Sequence, residues 1–226
     1  MSITVEYIDH SGYVVETDRM VVIFDYVKGY LPSRYLSSGK PTIFFISHAH
    51  PDHYSTSVFA YRKTIVLSSD VDVDPLFNVC KVAEGDSLVV QGVSVKVFGS
   101  TDAGVSYYVT DQNVGIFHAG DLNLWHWKEE STEDEVQLAT MQFLNQLHQI
   151  KKVPIDIAIF PVDARMQTDY DQGAREFIQM CQPKHFFPMH FRKKESIDSF
   201  YRWSNSLETT QVYIIEKPNT VFTIKL

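Results

Sequence analysis

The chain has 226 residues, 44% of them hydrophobic and 21% charged, enough apolar content to bury a sizeable core within one α/β domain spanning 1–226. Its 28 acidic and 20 basic residues leave a formal charge of −8, which disfavours a nonspecific electrostatic grip on nucleic acid or an anionic membrane and favours a small-molecule substrate. The apolar runs are too short to span a bilayer, and the first residues carry neither a basic segment nor an apolar signal core. Membrane insertion is therefore not expected, and a cytoplasmic location is the default.

In chain order, alternating apolar residues predict strands over 3–8, 13–16 and 20–25, separated by Gly12 and a polar Thr17-Asp18-Arg19 turn. Strands follow over 42–47 and 64–67, with a helix over 55–61 between them. Four more strands are expected at 87–90, 93–98, 105–110 and 114–118. Helical periodicity then takes over from 132 to 150, where Val136, Ala139, Phe143, Leu147 and Ile150 fall on one broad face, with Ser131 and Asp134 as the expected cap. The remainder reads as strand 155–160, helix 173–180, strand 185–188, helix 196–203 and terminal strands near 212–215 and 220–224. These elements alone give an α/β or α+β fold with a mixed sheet. Cys80 and Cys181 are far apart and lack CxxC spacing, which makes them buried thiols and not a redox pair.

The run His48-Ala49-His50-Pro51-Asp52-His53 closes the apolar strand over 42–47. Three imidazoles and a carboxylate within six residues are a metal-ligand cluster. Ligands alternating from a strand end can aim His48 and His50 to one side while Asp52 and His53 turn toward a second ion about 3.5–4 Å from the first.

This run resembles the His-x-His-x-Asp-His signature of the metallo-β-lactamase superfamily. The segment Ile116-Phe117-His118-Ala119-Gly120-Asp121 is similar to the one whose aspartate bridges two metals there, and Phe187-Pro188-Met189-His190-Phe191 to the one supplying the last histidine. The opening, Ile8-Asp9-His10-Ser11-Gly12-Tyr13 followed by Val22-Ile23-Phe24-Asp25, is similar to the branch that includes ascorbate-6-phosphate lactonase. The resemblance implies a four-layer αββα sandwich with two divalent ions, zinc or manganese with iron as a further candidate, at one edge between the sheets. It also implies hydrolysis by a metal-activated water. His50 stands where the superfamily's di-iron redox proteins use Glu, which argues for hydrolysis over oxygen chemistry.

One position departs from that pattern. The loop that supplies the third histidine of the first metal reads Gly99-Ser100-Thr101-Asp102-Ala103-Gly104, with no histidine, and alignment on Ser106 puts Asp102 in its place. The expected ligands are thus His48, His50, Asp52, His53, Asp102, Asp121 and His190. Asp121 bridges the ions, and Asp52 doubles as the residue that orients water or returns a proton. A turn-capping Asp102 is the competing reading. With Asp102 as a ligand, three carboxylates reduce a +4 pair to +1, a weaker Lewis acid that favours harder ions such as manganese.

Around these ligands, Asp25 is the expected acceptor for a ligand imidazole, and His10 reaches the same rim. Trp125, His126 and Trp127 are candidate pocket walls, and Asp163 with Arg165 forms a candidate recognition loop, the arginine suited to phosphate or carboxylate. Lys151-Lys152 and Arg192-Lys193-Lys194 read as solvated basic ends. A lactone or phosphoester metabolite is the expected substrate; a phosphodiesterase or ribonuclease of the same superfamily and a non-catalytic metal- or metabolite-binding sensor are the alternatives.

Overall fold

The computed structural model describes residues 2–226. Six strands, β1 (Ser2–Asp9), β2 (Gly12–Glu16), β3 (Val21–Phe24), β4 (Thr42–Ile46), β5 (Thr64–Ser68) and β6 (Cys80–Val82), belong to a first sheet. The second contains β7 (Ser87–Val90), β8 (Val93–Gly99), β9 (Val105–Asp111), β10 (Val114–His118), β11 (Ile157–Pro161), β12 (His185–Met189) and β13 (Gln211–Val212). The last strand, β14 (Thr220–Lys225), returns to the first sheet and pairs antiparallel with β1, making seven strands in each.

The central strands are apolar on both faces, as strands covered on both sides must be. In β3, Val22 and Phe24 face the core between the sheets, whereas Val21 and Ile23 join the outer cluster; in β4, Ile43 and Phe45 face in, and Phe44 and Ile46 face out. The outer cover of the first sheet is thin: a one-turn helix α1 (Ser33–Leu36) and a 3-10 segment, Thr56–Tyr61, with Tyr35 and Val58 buried beneath. The second sheet is covered by α2 (Glu133–Ile150) and α3 (Gln172–Cys181). Phe143 and Leu147 of α2 are fully buried, and Phe177 of α3 stacks on Phe160 at 4.5 Å and on Phe117 at 5.4 Å. The four-layer αββα sandwich is therefore present.

Several boundaries differ from expectation. α2 is capped by Thr132 and Glu135, whose side chains each bond the other's backbone N–H, so the cap lies one residue beyond Ser131 and Asp134. The segment over 55–61 is 3-10 and not α, with Ser55 accepting from the Ser57 N–H. Residues 196–203 divide between a 3-10 turn, Lys194–Ile197, and α4 (Asp198–Ser204). Among the described residues no helix is long and apolar enough to cross a membrane. Cys80 and Cys181 are free and half-buried.

β3 and β4 run parallel, as do β10, β11 and β12. Their carboxyl ends therefore converge on one edge of the sandwich, delivering Asp25, His48, Asp121, Asp163 and His190 to a common rim. Three rim residues, His10, Asp25 and His190, adopt positive φ of 50°, 42° and 67°. Such conformations cost about 1–3 kcal/mol each and persist where the surroundings over-determine them.

Candidate metal centre

The ligand run leaves β4 against the loop over 100–104, and Gly104 makes that approach possible. At φ 65°, a Cβ there would lie 2.0 Å from the Ser47 carbonyl oxygen and 2.5 Å from His48 Cβ. Gly104→Ala is expected to cost more than about 2 kcal/mol, since it combines a positive-φ penalty with a backbone clash. Denaturant unfolding of the metal-free protein checks this, and a loss under about 0.5 kcal/mol would show that the loop can move away.

Seven side chains gather in two groups. His48, His50 and Asp121 form one; His10, Asp52, His53 and His190 form the other. Asp121 divides its oxygens between them. Its Oδ2 lies 3.1 Å from His48 Nε2 and 3.8 Å from His50 Nδ1, while its Oδ1 lies 3.0 Å from His53 Nε2 and 3.3 Å from His190 Nε2. Bonds of about 2.0–2.1 Å to a tetrahedral ion would separate neighbouring ligand atoms by about 3.3 Å, so these spacings suit ligands sharing an ion.

The hydrogen-bond network fixes which ring nitrogen each histidine turns inward. Ser47 Oγ donates to Asp25 Oδ2 at 2.7 Å, so His48 Nδ1, 2.9 Å from that hydroxyl, is the donor to it. His53 Nδ1 donates to Asp25 Oδ2 at 2.8 Å, and His190 Nδ1 donates to Asp163 Oδ2 at 2.9 Å. All three buried imidazoles consequently present Nε2 inward. His48 Nε2, His10 Nε2 and Asp121 Oδ1 are buried without a hydrogen-bond partner, a costly arrangement unless a cation occupies the space between them. The donor set fits a pair of divalent ions.

The electrostatics of the metal-free pocket agree. Burial pushes the Asp121 carboxyl up, yet His190, His48 and His53 hold it far below the ordinary range. Burial opposes charge on His53, but Asp25 and Asp121 outweigh it and lift its pKa to about 10. His190 is likewise raised against burial, by Asp121 and Asp163. Asp52, nearly half exposed, is lowered chiefly by His10, whose Nε2 lies 3.2 Å away. Asp163 falls to about 2 because His190 and Arg165 outweigh its burial.

Asp25 accepts from the His53 ring, and His10 lies on the same rim beside Asp52. Trp125 and Trp127 stack at 6.2 Å and line a cavity of about 320 Å³ over His50, Asp52 and Asp121, and Trp125 Nε1 donates to the Asp121 carbonyl at 2.7 Å. His126 does not join them. It is buried, its Nδ1 accepting from the Lys128 N–H and its Nε2 donating to the Asp169 carbonyl, so its role as a pocket wall is corrected to a loop brace. Asp102 is exposed on the rim of the same cavity, with its N–H on Ser100 Oγ, and its carboxylate is not among the gathered ligand atoms. Arg165 makes a bidentate pair with Asp163 through Nε and Nη2.

Sequence reasoning passed over Ser47, which ties Asp25 to His48, and His118. The latter is buried, donates through Nε2 to the Ser11 carbonyl at 3.0 Å and stacks on Phe24 at 4.7 Å. The signal was the histidine at the end of β10, three residues before Asp121.

Residues 4–190 match the family model described as Beta-lactamase superfamily domain. The chain belongs to this superfamily. Among its curated relatives is the UPF0173 metal-dependent hydrolase of Alkaliphilus metalliredigens, 22% identical over 93% of this chain and 96% of that protein. Among solved structures, a metallo hydrolase from the archaeon Ignicoccus hospitalis superposes over the whole of both chains with a TM-score of 0.71 at 16% identity. CmlA, a diiron beta-hydroxylase from Streptomyces venezuelae, superposes with a TM-score of 0.65 at 13% identity over 99% of this chain and 54% of its own. Proteins sharing this fold thus include a metallo hydrolase and a diiron beta-hydroxylase, so the fold alone does not name the reaction.

Proposed function

We propose that this protein is a binuclear metal-dependent hydrolase of a small metabolite of lactone or phosphoester type, formed by one domain over 1–226. The observation that carries this reading is Asp121, whose two oxygens face two separate groups of inward-pointing imidazoles. The hydrolase relative supports it, as does His50 at the position where a redox site would carry Glu.

A pair of divalent ions supplies Lewis acidity and a water nucleophile at neutral pH. The protein supplies the rest. Asp52 faces the cavity and is kept ionised by His10, which suits it to orient water and pass a proton to the leaving group. Arg165 is clamped by Asp163 through two nitrogens and lines the cavity, where its charge suits it to meet developing negative charge. Trp125 and Trp127 line the same cavity.

Elemental analysis of protein purified without chelator tests the metal pair, and turnover on a panel of lactones and phosphoesters, with and without chelator, tests the reaction. Two ions and chelator-sensitive turnover are expected. Two ions without turnover would favour the sensor, and selective turnover of RNA would favour the nuclease.

Asp102 remains the proposed extra ligand of the first ion, because that group has three members where the second has four. Asp102→Ala is expected to weaken the first ion selectively, by about tenfold or more, and Asp102→His to raise preference for zinc over manganese. Competitive zinc and manganese loading of the two variants, resolved by position, reads this out. Unchanged affinity at both positions in Asp102→Ala would reduce Asp102 to a turn residue.

A further inference from the structure

The basic run Arg192-Lys193-Lys194, left aside as a solvated end in the sequence, lies beside the metal centre. A cavity of about 330 Å³ extends from His190 and Asp52 past Arg165 to Lys28 and Arg192. A second, of about 250 Å³, shares Asp9, His10, Lys28 and Arg192 with the first and continues to Lys193, Lys194 and Lys217. The two form one groove running outward from the ligands.

Charge in this groove is unbalanced. Lys28 pairs with Asp9 at 3.2 Å and Lys194 with Glu216 at 3.6 Å. Arg192, Lys193 and Lys217 have no carboxylate partner among the described residues. Three uncompensated cations gathered in one groove of a chain with a formal charge of −8 repel one another at a cost that a bound anion would relieve.

We propose that this groove is an anion subsite, with Arg192 at its centre, that holds a phosphate group the enzyme does not cleave. The substrate is then a small phosphorylated metabolite: its reactive bond sits over Asp52 and Asp121, and its phosphate lies beyond His10 against Arg192, Lys28 and Lys217. A planar guanidinium with no competing carboxylate suits bidentate phosphate recognition. The patch is too small to follow a polynucleotide backbone, where several phosphates must be neutralised in succession. The proposal names the substrate class of the hydrolytic reading and rests on it for the position of the reactive bond.

The test is calorimetric titration of metal-loaded protein with inorganic phosphate, acetate and hexauridylate. It compares wild type, Arg192→Gln, the double variant Arg192→Gln/Lys217→Gln and His48→Ala. The replaced cations are exposed, and circular dichroism verifies that each variant is folded. Phosphate is expected to bind wild type and His48→Ala alike, at least tenfold more tightly than acetate, and to weaken about tenfold in Arg192→Gln and further in the double variant. Phosphate binding lost in His48→Ala but unchanged in the arginine variants would put the anion on the metals and overturn the subsite. So would absence of binding to wild type, or hexauridylate binding much more tightly than phosphate. The hydrolytic reading fails separately: if no ester or lactone is turned over while the phosphate pattern holds, the subsite stands and the reaction is rejected.

Discussion

Asp121→Ala is expected to empty both ion positions at once. Each oxygen of this carboxylate faces a different group, Oδ2 toward His48 and Oδ1 toward His53 and His190, so in the proposed binuclear site its loss would remove a ligand from both ions and the negative charge between them. Several kcal/mol of transition-state stabilisation reside in such an ion pair, and turnover should fall by more than about a thousandfold. Asp52→Ala, by contrast, touches one group and should release one ion while the other stays. Asp163→Asn keeps every ligand but weakens the acceptor that orients His190, and should cost about 10–100-fold in affinity for the second ion. Metal content after dialysis, measured with turnover for the three variants, reads out this order. Retention of two ions by Asp121→Ala would show that its carboxylate does not bridge.

The part of the site legible in the sequence was the part carried by strand ends. His48 follows β4, Asp121 lies just beyond β10 and His190 follows β12, and short apolar runs ending in ionisable residues leave a sequence mark that irregular loops do not. Asp25 was readable for the same reason. His126 was not, because it lies in an irregular loop, with Trp127 at φ 39°, that leaves no periodicity to read. Trp125 and Trp127 share the cavity, and the ring between them is held by the Lys128 N–H and the Asp169 carbonyl. The groove around Arg192 was invisible because Lys28, Arg192 and Lys217 come from three distant segments, and only the fold brings them together. α1 and β6 are four and three residues long, too short for any periodicity to reveal them. Asp102 shows the limit of alignment, which placed it on the cavity rim but not the reach of its carboxylate.

Metal affinity is expected to climb steeply with pH, because in the metal-free protein His53 holds a proton where the ion must bind. Its pKa of about 10, against about 6.5 for an unperturbed histidine, reflects Asp25 and Asp121 overcoming burial. Nδ1 stays protonated toward Asp25 in either state, so the proton displaced by the ion is the one on Nε2. Below pH 10, each unit of acidification should therefore weaken the second ion about tenfold, or about 1.4 kcal/mol, with the raised pKa of His190 steepening the slope. Stability of the metal-free protein runs the other way. A histidine whose pKa is raised on folding contributes stability that is fully present below about 6.5 and lost as pH rises through about 10. The gap in thermal stability between loaded and metal-free protein should consequently widen from pH 6.5 toward 10. Chelator competition at pH 6, 7 and 8 measures the slope, and calorimetry in buffers of different ionisation heat counts the protons released. Asp25→Asn should flatten the slope by removing a charge that raises the His53 pKa. Affinity independent of pH between 6 and 8 would mean that His53 is already neutral before any ion arrives.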